Sequence, residues 1–174
     1  MSDLASRAHD GRAGESSLQP SADFDDLVLG QCFRSGGRAV SEAEVIAFCT
    51  LTGDWHPVHH DPEWAARSIF GERVAHGMLI LSLAVGLVPL DPARVLALRR
   101  VSDVVFKRPV RLGDVIDVEA TLTGRRPLDE RLGLVELRWR IRNQDGALVC
   151  RADVLVLWRR GATDTPAASL GLGL

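Results

Sequence analysis

Val135-Glu136-Leu137-Arg138-Trp139-Arg140-Ile141-Arg142 alternates a large apolar side chain with a charged one along its whole length. Side chains of a strand point in turn to opposite faces, so this stretch predicts a strand with one face in a core and the other in water. Asn143-Gln144-Asp145-Gly146 follows with turn chemistry, and Leu148 to Trp158 reads as the returning strand of a hairpin. Upstream, Ile116, Val118, Ala120 and Leu122 alternate with Asp117, Glu119, Thr121 and Thr123 in the same period. Arg94 to Phe106 reads as an earlier strand and Gln31 to Val40 as an edge strand. Consecutive strands of this kind pair antiparallel.

His76 to Val88 has a different texture. After the histidine it runs Gly-Met-Leu-Ile-Leu-Ser-Leu-Ala-Val-Gly-Leu-Val, the pattern of a helix buried on every side. It is too short for a bilayer span, which takes about 20 such residues. One helix wrapped by an antiparallel sheet, an α+β fold, accommodates both patterns. Ahead of that helix, Ser41-Glu42-Ala43-Glu44 has capping-box spacing and opens a helix to about Leu51, which Thr52-Gly53 ends. Asp61-Pro62 opens another, running to about Ile69. The loop from Asp54 to His60 is thereby braced on both sides.

With 174 residues, 46% hydrophobic and 25% charged, the chain is predicted to hold one domain, residues 23–160, between an N-terminal tail (1–22) and a C-terminal tail (161–174). A net charge of -2 offers no field for nucleic acid or an anionic membrane surface. Cys32, Cys49 and Cys150 are widely spaced and odd in number, which argues against a disulfide framework or a thiolate zinc site. The first residues carry no apolar secretory core. A cytoplasmic location is the expectation.

The run Phe48-Cys49-Thr50-Leu51-Thr52-Gly53-Asp54-Trp55-His56-Pro57-Val58-His59, with Ala65 six positions on, resembles the hydratase motif of the MaoC-like dehydratases and R-specific enoyl-CoA hydratases. Ala75-His76-Gly77-Met78 and the segment from Phe106 to Asp114, with its Pro109-Val110 and Gly113-Asp114, are similar to that family as well. The resemblance implies a hot-dog fold, which is the architecture reached above from periodicity alone. It implies a homodimer and an acyl-CoA or acyl-carrier-protein thioester as substrate, with no metal or organic cofactor.

Hydration of an enoyl thioester requires water to be deprotonated as it attacks C3, and a proton to reach C2. Asp54 and His59 lie in one loop, five positions apart, where a carboxylate can accept the proton and an imidazole relay one to carbon. They match the family's catalytic pair. The resemblance assigns Gly77, at the helix start, as the amide donor to the thioester oxygen, where an enolate's charge develops. It further places Trp55, His56, His76, Met78, Ser82 and Arg108 around the substrate. Arg108 belongs with Arg99, Arg100, Lys107 and Arg111 to a basic group suited to coenzyme A phosphates. His56 stands where the family carries Asn, which points to altered substrate geometry.

Two other functions fit parts of the sequence. Hot-dog thioesterases take a carboxylate from the central helix, and His76 to Val88 has none. A non-catalytic acyl-binding subunit would not need Asp54 and His59. A metal reading of Asp54, His56, His59, His60 and Asp61 fails on Pro57 and the tightness of the loop, since zinc sites draw ligands from more than one element.

Overall fold

The computed structural model describes residues 17–161. After a 3-10 turn (Phe24–Asp26) and two short strands come four helices: α1 (Glu42–Thr52), α2 (Pro57–His60), α3 (Pro62–Ala66) and α4 (Gly77–Leu87). Six strands make one antiparallel sheet: β1 (Cys32–Arg34), β2 (Arg38–Ala39), β3 (Val95–Phe106), β4 (Val115–Pro127), β5 (Leu132–Asn143) and β6 (Leu148–Arg159). The order is β1-β4-β5-β6-β3, with β2 beside β1 along the same edge of β4. The three strands read from period two, β4 to β6, form its centre. Trp139 pairs with Ala120 on one side and Ala152 on the other, so a large ring sits between small neighbours. Ile116, Val118, Leu137, Trp139 and Ile141 are all but fully buried, against Leu79, Ile80 and Ala84 of α4.

The expected α+β plan is the observed one, with three local corrections. The edge strand Gln31–Val40 is broken between β1 and β2, where Gly36-Gly37 interrupts the ladder. Helix α4 is not buried all round, because Met78, Ser82 and Val85 share an exposed face. Residues 17–22, expected as part of the tail 1–22, make contacts with the folded body: Leu18 is 4% exposed, Ser17 bridges to Cys32, and the Ala22 carbonyl accepts from Trp158 Nε1. The remainder of the two tails, residues 1–16 and 162–174, lies outside the described residues. No helix among the described residues is long and apolar enough to cross a membrane.

Candidate active site

Helix α1 fixes the near side of the site. Ser41 and Glu44 form the full capping box, and the last turn closes on Gly53, whose φ of 76° is the left-handed conformation that a side chain would disfavour. The chain leaves this turn at Asp54. One Asp54 carboxylate oxygen, Oδ1, accepts from the His56 amide at 3.3 Å, while Oδ2 lies 4.0 Å from His76 Nε2. Next comes α2, a single helical turn inside the segment expected to be loop. His56 is its N-cap: Nδ1 accepts from the Val58 amide at 3.2 Å, and Pro57 occupies the first turn. An asparagine oxygen in the same place would make the same bond. The departure from the family motif is thus a change of capping group, and the His56 ring packs edge-on against Trp64, away from the cavity.

That turn presents His59 inward. Its Nδ1 lies 2.7 Å from the Val74 carbonyl, which can only accept, so the proton sits on Nδ1 and Nε2 is left with its lone pair. Burial lowers the His59 pKa; the Val74 bond and Asp54 work in the opposite sense, and neighbouring His76 and His56 reinforce the burial. One ligand-type atom each from Asp54, His59 and His76 lies within 4.8 Å of the other two. A carboxylate and an imidazole at such a separation can share one water molecule.

Helix α4 supplies the far side. Gly77 is its first residue, so its amide belongs to the turn that has no partner within the helix. A Cβ built on Gly77 would stand 2.9 Å from the Phe106 ring, which therefore lies over the glycine. The missing side chain makes room for Phe106 in the first place, a constraint not visible in sequence because Phe106 is the end of β3. Asp54, His59, His76, Gly77 and Met78 line one cavity of about 730 Å³. Phe48, Phe70, Ile80, Phe106, Val110 and Val149 make most of its wall apolar, and Lys107 and Arg108 stand at its edge.

Of the residues expected around the substrate, His76, Met78 and Arg108 line this cavity; Trp55, His56 and Ser82 do not. Trp55 packs edge-on against His60, which bonds back to the Trp55 carbonyl. Ser82 donates to the Met78 carbonyl one turn back, on the exposed side of α4. In the basic group, Arg111 pairs with Glu72 and Arg100 with Glu136, leaving Lys107 and Arg108 nearest the cavity. What sequence reasoning missed was Val74, which acts through its backbone carbonyl and leaves no side-chain signal.

The metal question takes a new form here, since His76 comes from a different element than Asp54 and His59. The His59 and His76 rings are stacked, centroids 3.6 Å apart and planes inclined by 26°. In-plane lone pairs of two stacked rings run side by side and do not converge on one ion at the 2.0–2.1 Å zinc requires.

A model of the MaoC like domain matches residues 28–139. The chain belongs to the MaoC-like domain family. It is 35% identical over 130 residues to an (R)-specific enoyl-CoA hydratase of Aeromonas caviae, covering 75% of this chain and 94% of the relative. It is 37% identical over 99 residues to Protein MaoC of Klebsiella aerogenes, covering 56% of this chain but only 30% of that longer protein. A solved structure of a monoamine oxidase regulatory protein from Archaeoglobus superposes with a TM-score of 0.76 at 35% identity, covering 81% of this chain and 96% of that one. The sheet and α4 form the hot-dog fold of these proteins.

Proposed function

We propose that this MaoC-like chain is a hydro-lyase that adds water reversibly across the 2,3 double bond of an enoyl thioester. The observation that carries the reading is the meeting of Asp54, His59 and the start of α4 on one largely apolar cavity. Hydratase and dehydratase names among its relatives support it. Water bound between the pair adds its oxygen to C3 as Asp54 takes the released proton; that same proton passes to the lone pair of His59 Nε2 and from there to C2. The Gly77 amide donates to the thioester oxygen while charge is on it. Each group ends in the state in which it began, so no cofactor is consumed. The acyl chain lies among Phe48, Ile80 and Phe106, and Lys107 with Arg108 faces the phosphates of coenzyme A or of a carrier arm.

The working unit in this proposal is a homodimer. Among the described residues β3 closes the sheet with only β6 beside it, and it carries exposed Leu98 and Val101. Sedimentation at micromolar concentration measures this directly. The function is tested with enoyl thioesters of graded length and branching, following loss of the conjugated absorbance. Failure to hydrate any of them, and to dehydrate the hydroxyacyl forms, overturns it. Release of free thiol would instead indicate thioester hydrolysis. Tight thioester binding without turnover would indicate an acyl-binding subunit.

A further inference from the structure

The sequence reading placed His76 in the wall of the substrate site, but its contacts are mostly with the protein. The ring is 3% exposed, and His76 is the N-cap residue of α4 without using its side chain as a cap. Nε2 lies 3.1 Å from the Asp54 carbonyl, 4.0 Å from Asp54 Oδ2 and 3.6 Å from Cys49 Sγ. A carbonyl accepts only, so Nε2–H donates to it and Nδ1 is the nitrogen with the lone pair. That Nδ1 is buried and has no hydrogen-bond partner among the described residues. One ring face stacks on His59, and Phe48 lies 5.0 Å from the ring centre. The same residue leads directly into Gly77.

We propose that His76 is a positioning residue: it ties the backbone of Asp54 to the start of α4 and backs the His59 ring, so that carboxylate, imidazole and Gly77 amide keep fixed separations. This rests on the hydro-lyase reading for its catalytic consequence, though not for its structural one. The physical case is that Asp54 has few other restraints. Its side chain is 54% exposed, and its loop lies beyond the left-handed turn at Gly53. His59 is held along one edge by Val74 and across one face by His76. A buried nitrogen left without a partner costs free energy, and a ring serving only as filler would not require one. The charged and titratable groups facing His76 are Asp54, Cys49 and His59, with Lys107 and Arg108 across the same cavity.

Two substitutions separate the contacts. His76→Gln keeps an N–H donor near the Nε2 position but loses the stack; His76→Phe keeps the stack but loses the donor. In folded full-length protein, His76→Phe is expected to lower kcat by about 100-fold with KM little changed, the cost of a misplacement on the order of 1 Å. His76→Gln should retain kcat within about tenfold of the unsubstituted enzyme by the same reasoning. Exchange of the Trp55 and His56 amides, read by NMR without any substrate, should quicken about tenfold in His76→Phe and stay unchanged in His76→Gln. A folded His76→Phe with undiminished kcat and unchanged exchange overturns the proposal, as does a His76→Gln variant equally impaired in both. If the unsubstituted protein turns over no thioester, the functional reading falls alone and the exchange rates still decide this one. If His76→Phe does not fold, exchange in His76→Gln decides: unchanged supports positioning, quickened refutes it.

Discussion

The central sheet and the Asp54 loop are built on opposite principles. Through most of β4 and β5 a residue repeats the environment of the residue two positions away, and β5 is paired along both sides, with one register shift in each ladder, at Leu122/Gly124 and at Ile141/Arg142. In residues 53–61 the contacts follow no repeat. Gly53 is left-handed, Asp54 exposed, His56 a cap, Val58 buried, His59 half-buried, and Asp61 a second cap. The sheet derives stability from repetition, so any one position is worth mainly its buried area. The loop derives geometry from single contacts, each made once, many of them to backbone.

The largest expected contrast comes from one substitution in each region. Asp54→Asn should lower turnover by about 10²–10⁴-fold, the usual worth of a positioned acid or base. Because Asp54 is exposed, thermal unfolding should shift little. Trp139→Ala should do the reverse, costing about 3–5 kcal/mol of stability. Trp139 is 1% exposed and lies outside the cavity wall, so the remaining folded fraction should keep its turnover per molecule. If Asp54→Asn unfolds the protein, or folded Trp139→Ala is inactive, the two regions are not separable. Denaturation curves and kcat on the same samples decide it.

Gly77→Ala tests the seam between them, since Gly77 opens α4 and Phe106 ends β3. The added methyl meets the Phe106 ring at 2.9 Å. Overpacking of this kind costs about 1–3 kcal/mol, and Phe106 is exposed enough to swing away in response. The expected result is modest destabilisation with a raised KM, because the displaced ring belongs to the cavity wall. A KM equal to that of the unsubstituted enzyme would show that Phe106 does not touch substrate.

The regions should differ in pH response too. Burial lowers the His59 pKa, so the acid limb of kcat/KM should fall below the ordinary histidine value of about 6.5. The same shift sets a sign for stability. Below about 6.5 the unfolded chain binds a proton that folded His59 refuses, so this contribution is lost as pH falls toward the depressed value. Cys150 on β6 behaves oppositely: burial pushes its thiol up to about 11. Its contribution is present below the ordinary thiol value and lost as pH rises from there toward 11. Unfolding midpoints across pH, with His59→Gln and Cys150→Ala, would locate each limb; an unchanged acid limb in His59→Gln removes His59 from it.

Legibility in sequence followed the same division. Periodicity made β4 to β6 plain, and the capping box at Ser41 placed α1 to within a residue, because each signal is local and repeated or stereotyped. The motif from Phe48 to His59 identified the pair that meets in the cavity. It could not show how they are held. Val74 acts through a carbonyl, His76 through a bond to a residue 22 positions earlier, and Phe106 by lying over a glycine on another element. The exposed face of α4 also escaped notice, since a mostly apolar helix gives periodicity little to work with.

The smallest predicted effect concerns His56, the residue whose identity departs from the family motif. In sequence it suggested a changed substrate site. In the fold it caps α2 and packs on Trp64, outside the cavity. His56→Asn should therefore leave substrate preference across the thioester panel unchanged and stability within about 0.5 kcal/mol, since asparagine is among the best N-caps. His56→Ala removes the cap and should cost about 1 kcal/mol. Any loss of kcat in it should follow the freed position of His59, three residues on, and so appear for every substrate alike. A change in chain-length preference in either variant would put His56 back among the residues that contact the acyl group. A uniform loss in His56→Ala, absent from His56→Asn, would instead show that even this departure acts on geometry, as the rest of the loop does.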